Sequence, residues 1–190
     1  MYQQYGRPVW QNPLFVLIGI NVLIFLLTQG MPSLVVQLGI MPAAFTSEPW
    51  TAVTSMFVHG GLTHVLFNML ALYFFGSYLT QTIGERAMLG IYFIGGIVGS
   101  LFFWLLGPAN AVAVGASGAI FALGGALAVL RPMTRVIIFP IPLPMPLWIA
   151  VIGGGLLISL MPGVAWEAHL GGLLTGIIAA TLLSRGRLRL

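Results

Sequence analysis

The chain contains no cysteine, no lysine and no aspartate. The first absence excludes disulfide frameworks and thiolate metal sites, and no cofactor is expected. The last leaves Glu48, Glu85 and Glu167 as the only carboxylates that could partner a catalytic base. Charge of either sign is scarce. Only 5% of residues are charged while 59% are hydrophobic, whereas an ordinary soluble domain carries roughly 25% charged residues. Three acids and seven arginines cannot supply the solvated surface of a soluble fold of 190 residues. The chain is therefore expected to live in lipid. Its net charge of +4 does not argue for nucleic acid, because every basic residue is an arginine flanking an apolar segment, which is how membrane topology is encoded.

Crossing the hydrocarbon core takes about 20 apolar residues, with about 17 to 25 tolerated. Six stretches approach that length: Pro13 to Thr28, Leu62 to Thr80, Ala87 to Gly107, Gly115 to Leu130, Pro146 to Met161 and Glu167 to Ser184. The first follows Arg7, but no small-x-small cleavage pattern stands at Gln29-Gly30-Met31-Pro32, so it is read as a span and not a signal peptide. Arg7 precedes span 1, Arg86 lies between spans 2 and 3, Arg131 and Arg135 between 4 and 5, and Arg185, Arg187 and Arg189 after 6. All fall on one side, so the positive-inside rule places both termini in the cytoplasm. The expected fold is an all-α, six-transmembrane-helix bundle forming a single domain over residues 1–190. Residues 29–61, with Pro32, Pro42, Pro49, the apolar Leu34-Val35-Val36 and Trp50, are expected to lie in the outer membrane interface. The proline-studded run from Phe139 to Pro146 cannot continue a helix and is expected to be an extended cytoplasmic connector. No fixed-period repeat is visible.

Polar groups inside spans are costly, so each is a functional candidate. His64, Asn68, Ser117 and His169 all fall near the outer ends of spans 2, 4 and 6 and so share a depth, which favours one site. His64 and Asn68 are four residues apart and point the same way on one helix. Ser117 stands in Gly115-Ala116-Ser117-Gly118, where flanking glycines leave the backbone bare to close approach. A helix starting there offers free N–H groups to a developing oxyanion. Spacing puts His169, Gly172 and Gly176 on one face of span 6, and Ser117, Gly124 and Ala128 on one face of span 4. Two small-residue stripes facing each other would bring Ser117 to the imidazole.

In this order and on these spans, His59, His64-x-x-x-Asn68, Gly115-Ala116-Ser117-Gly118 and Ala168-His169-x-x-Gly172-x-x-x-Gly176 resemble the rhomboid intramembrane proteases, from about residue 50 to 176. The resemblance implies that Ser117 attacks the scissile carbonyl and that His169 takes its proton and returns it to the leaving amine. It implies that Asn68, His64 and the Ser117 N–H line the oxyanion hole, in a water-filled cavity below the outer surface. Gly115, Gly118 and Trp166 are expected to contact substrate. Substrates would be single-span membrane proteins, reached from the lipid bilayer and cut near the outer end of their span, with the active site opening to the extracytoplasmic side. Two departures are visible. Trp50 is followed by Thr51 where many relatives carry arginine, and Trp166 and Glu167 fill the approach to Ala168.

Two other classes are compatible with the polar cluster. A small transporter or channel would need polar groups at several depths, which spans 4 and 6 lack; a non-catalytic rhomboid-like binding protein would have no need of both Ser117 and His169. Within the protease reading, the scarcity of carboxylates predicts a Ser-His dyad. Glu48 lies in the loop after span 1 and Glu85 in a cytoplasmic turn. Glu167 is near, but two residues along a helix turn a side chain by roughly 200°, away from His169. Orientation of His169 is then expected from packing and an aromatic neighbour, Tyr73 or Tyr78.

Overall fold

A computed structural model describes residues 8–138 and 141–187 of the chain. Arg7, Arg189, Phe139 and Pro140 lie outside the described residues. Helix α1 (Pro13–Gly30) begins with Pro13 in its first turn and the Asn12 side chain accepting the Leu14 N–H at 3.0 Å, which satisfies one of the orphan donors of a helix start. Helices α4 (Leu62–Ile83) and α5 (Glu85–Leu106) meet at Gly84, whose φ of +93° is open to glycine at no steric cost. Next come α6 (Ser117–Leu130), α7 (Leu147–Ser159) and α8 (Trp166–Arg187).

Four of these helices are long and apolar enough to cross a membrane: α1, α4, α5 and α8 over Trp166–Arg185. The stretches read as spans 4 and 5 fold as shorter apolar helices of 14 and 13 residues. At about 1.5 Å per residue, α6 covers about 21 Å, short of a hydrocarbon core about 30 Å thick. Its start is set by Gly115, whose φ of +125° lies outside helical space and delays the helix to Ser117. Large side chains such as Leu23, Leu26, Phe74 and Leu157 point outward and stay exposed, the arrangement of an integral membrane protein whose solvent is lipid.

Helix α6 is the centre of the bundle. Its residues from Gly118 to Ala128 are buried almost without interruption, as expected of a helix that is apolar all round. It packs chiefly against α8 and α5, with α4 and α7 at its flanks and α1 laid on α4. The seam with α8 is backbone against backbone. A Cβ at Gly172 would collide with the Gly118 carbonyl oxygen, one at Gly176 with that of Ala122, and one at Gly125 would stand 2.6 Å from the Leu173 oxygen. The stripe of α8 is therefore the expected one, but that of α6 is Gly118, Ala122 and Gly125. Gly124 instead abuts Phe75 and Val151.

Residues 31–61 fold into α2 (Ser33–Leu38), α3 (Thr51–Thr54) and two 3-10 turns at Pro42–Ala44 and Ser55–Phe57. They are tied to the 107–116 connection: Ile40 and Ala113 exchange both backbone bonds at 2.9 Å, Ala43 N–H donates to the Ala109 carbonyl at 2.9 Å, and Gly115 N–H donates to the Ser55 carbonyl at 2.9 Å. Thr51, noted above as a departure, is buried and donates its hydroxyl to the Glu48 carbonyl at 2.6 Å.

The run after Arg135 is more ordered than a connector. Strand β1 (Arg135–Ile138) pairs antiparallel with β2 (Ile141–Pro146), with Arg135 opposite Pro146, Val136 opposite Met145 and a bulge before Ile138. Pro142, Pro144 and Pro146 share one parity, so their missing N–H groups fall along one edge and the other can still pair. Tyr78 and Thr134 hydroxyls, 2.8 Å apart, pin the foot of this hairpin to α4.

Candidate active site

Ser117 is the first residue of α6, and no side chain caps the helix ahead of it. Helix geometry leaves the N–H groups of residues 117–119 without intrahelical acceptors, and the helix dipole adds positive charge there. On the partner helix, His169 is buried one turn inside α8. Because Gly118 and Gly172 hold the two backbones together, the side chains beside that seam meet: His169 Nε2 lies 2.9 Å from Ser117 Oγ. The pair expected from spacing is joined, although Ser117 reaches it from beside the seam and not from within it.

Two contacts fix the imidazole, and neither was expected. Its ring stacks on Phe121, centroids 4.2 Å apart and planes inclined by 18°. Its Nδ1 lies 3.0 Å from Ser159 Oγ at the end of α7. The tyrosines expected to do this are engaged elsewhere: Tyr73 with Phe15 and Phe74, Tyr78 with Thr134. Phe121 lies one helical turn after Ser117, a spacing that could have singled it out among 12 phenylalanines.

His64 packs against Gly115: a Cβ there would stand 2.7 Å from His64 Nε2, so Gly115 is required by contact as well as by φ. Asn68 donates its side-chain amide to the His64 carbonyl at 2.9 Å and keeps its Oδ1 buried without a partner among the described residues. It shares the expected helix face with His64, but no hydrogen bond joins either residue to Ser117. His59 is fully buried, its ring edge-on to His64 at 5.0 Å. Burial first, and then neighbouring His64, lowers its pKa to about 4, against a weaker opposing pull from the Phe57 backbone. Gly118 is buried in the seam, against Ala168 and Gly99. Trp166 is exposed at the start of α8 and touches none of these groups through a hydrogen bond or ring contact. Glu167 is buried.

Beside Ser117 lies a cavity of about 30 Å³ lined by Ser55, Ser100, Phe103, Gly115 and Ala168, among others. The hydroxyls of Ser55 and Ser100 approach to 3.5 Å across it. This is room for a water molecule with polar partners. Among the described residues, no group of three or more His, Cys, Asp or Glu is placed to hold a metal ion.

The sequence pattern of the Rhomboid domain matches residues 46–186. The chain is 28% identical over 201 residues to the yeast protein named Rhomboid protein 1, mitochondrial, covering 92% of this chain and 54% of the relative. It is 36% identical to the Arabidopsis thaliana RHOMBOID-like protein 6, mitochondrial, over 72% of this chain and 44% of that one. With the Bacillus subtilis protein named putative rhomboid protease YdcA it shares 38% identity over 41% of this chain and 39% of the relative. The chain thus spans about half the length, or somewhat less, of these curated relatives. The domain match takes in the seam, the Ser117–His169 pair and the His64–Asn68 turn together, and on that ground the chain belongs to the rhomboid family.

Proposed function

We propose that the chain is an intramembrane serine endopeptidase with a Ser117–His169 dyad. The observation that carries this reading is the 2.9 Å contact between His169 Nε2 and Ser117 Oγ at the uncapped start of α6. Ser117 Oγ attacks the scissile carbonyl while Nε2 takes its proton. The oxyanion forms against the N–H groups that open α6, and His64 and Asn68 add polarity from α4. Collapse of the tetrahedral intermediate breaks the peptide bond, and the imidazolium returns the proton to the departing amine. Water then attacks the acyl-enzyme as His169 takes its proton, and His169 returns that proton to Ser117 Oγ as the acyl bond breaks, which restores the dyad. The cavity beside Ser117 supports the supply of that water within an otherwise apolar bundle.

The substrates of this reading are transmembrane proteins. A carbonyl within a helix is hydrogen-bonded and shielded, so attack requires local unwinding near the cut. Arg131 follows directly on the far end of α6 from Ser117. With arginines on the cytoplasmic side, the site opens to the extracytoplasmic side and the six apolar helices form a bundle with both termini inside. The short α6 then sets Ser117 below the outer surface. Residues 31–61 shape the outer rim, with Trp50 exposed toward the interface.

A serine-reactive fluorophosphonate probe tests the chemistry. Labelling should map to Ser117 and disappear in His169→Ala, and the same two residues should be required to cleave a single-span substrate. A folded protein that leaves Ser117 unlabelled and the substrate intact would refute the reading. Cysteines introduced at Ser47 and Thr134 test the orientation: an impermeant thiol reagent applied to intact cells should reach the first and spare the second.

A further inference from the structure

We infer that Ser159 is a positioning residue for His169, selecting the ring orientation and tautomer in which Nε2 faces Ser117. The inference rests on the dyad reading and adds to it a third group from a different helix. A stacked aromatic fixes the plane of an imidazole but not which way round it lies. Rotating the ring by 180° about its last torsion keeps it flat on Phe121 yet exchanges Nδ1 with Cδ2 and Nε2 with Cε1. Phe121, 4.2 Å away, is nearly indifferent to that exchange. Ser159 Oγ, 3.0 Å from Nδ1, is not, because only the nitrogen makes a hydrogen bond there. Carbon would then face Ser117, and no proton could be taken.

The same bond bears on the tautomer. A general base needs a lone pair on Nε2, hence the proton on Nδ1, and Ser159 Oγ accepts that proton's hydrogen bond. When the imidazolium forms, Nδ1–H keeps the same acceptor. Ser159 is also the last residue of α7, where the helix dipole presents partial negative charge beside a ring that becomes cationic. A hydroxyl does this less strongly than a carboxylate, consistent with the absence of an acidic partner. Helix α7 reaches the ring a second way. Gly155, one turn before Ser159, lies against Phe121, since a Cβ there would stand 2.5 Å from Phe121 Cε1. One face of α7 thus supports the stacking partner and supplies the hydrogen bond.

The test compares wild type, Ser159→Ala and Ser159→Thr in the full chain, reconstituted with a single-span substrate. Expected for Ser159→Ala is a roughly tenfold lower kcat with KM little changed, since a buried donor has lost its acceptor. Fluorophosphonate labelling of Ser117 should slow in parallel, because the probe needs the base but not the path of a transmembrane substrate. Ser159→Thr, which keeps the hydroxyl, should recover most of both rates. If Ser159→Ala fails to fold, Ser159→Gly removes the hydroxyl at a helix end that tolerates glycine and serves in its place. A raised KM with unchanged labelling would overturn the inference and assign Ser159 to the substrate path. So would equal losses in folded Ser159→Thr and Ser159→Ala. If wild-type protein neither labels nor cleaves, it is the endopeptidase reading itself that fails.

Discussion

The two helices that hold His169 do so by opposite means. Along the α6–α8 seam, backbone meets backbone at Gly118–Gly172 and Ala122–Gly176, with no side chain between to give way. Against α7, the contacts run through side chains: Ser159 to the ring nitrogen, Gly155 to the edge of Phe121, Val151 to Gly124. A close-packed seam transmits any added atom as a shift of whole helices, whereas a side-chain contact absorbs it by rotation. The seam should therefore decide whether the Ser117–His169 contact exists, and α7 how well the contact works.

The comparison is broken most severely at the contact itself. Ser117→Ala and His169→Ala should each lower kcat by roughly a million-fold, as for members of a unit that act together. Ser117→Ala should leave thermal stability nearly unchanged, while His169→Ala also loses the stack on Phe121 and should melt lower. Next is the seam. Gly172→Ala drives a methyl group into the Gly118 carbonyl and should cost about 1–3 kcal/mol of stability along with most Ser117 labelling. Gly153→Ala is its control on α7, where the nearest atom to an added Cβ is Ile149 Cγ2 at 3.9 Å. That variant should keep wild-type activity and gain slightly in stability, as alanine is the better helix former. Equal damage from the two, read by melting and probe labelling, would erase the distinction between seam and flank.

A smaller effect belongs to Gly155→Ala. Its methyl group meets the edge of a phenylalanine ring and not backbone, so the ring tilts and the stack on His169 loosens. Activity should fall by roughly three- to tenfold, on the scale of one aromatic contact of about 0.5–1.5 kcal/mol, while melting moves little. A loss as deep as that of Gly172→Ala would show that α7 is as rigidly seated as α8.

What could be read in advance follows the same division. Polar residues in an apolar chain are conspicuous, so Ser117, His169, His64 and Asn68 stood out. The seam on α8 was legible because Gly172 and Gly176 fall on the helix face that carries His169. On α6, small residues occupy every face, from Gly118 and Ala119 through Ala122 to Ala126 and Ala128, so spacing alone could not choose the buried stripe. The stripe anchored on Ser117 was the wrong one by about one residue. Ser159 stayed hidden because a serine at the end of an apolar helix resembles an interface residue. Tyr73 and Tyr78 both lie on α4 and not beside the ring, whereas Phe121 carries no polar group that would mark it in an apolar helix. The hairpin is hidden in the sequence because its prolines read as helix breakers, while the single parity that lets β2 pair shows only against a partner strand.

The smallest expected effect is at Glu167, and it sharpens the comparison by asking whether α8 carries a third group of its own. Glu167 is buried in the first turn of α8, two residues before His169. A rotation of roughly 200° separates their side chains, and the nitrogen that a triad carboxylate would take, Nδ1, is already bonded to Ser159. A carboxylate at the opening of a helix is favoured by the dipole without any partner in the site. Glu167→Gln keeps the size of the side chain and removes its charge. It should leave kcat within about twofold, because no hydrogen bond to the base is lost, and should lower the melting temperature slightly by weakening the start of α8. If Glu167→Gln in folded protein lost as much activity as His169→Ala, α8 would supply both base and acid. The dyad would then give way to a triad, and α7 would no longer be needed to orient the base.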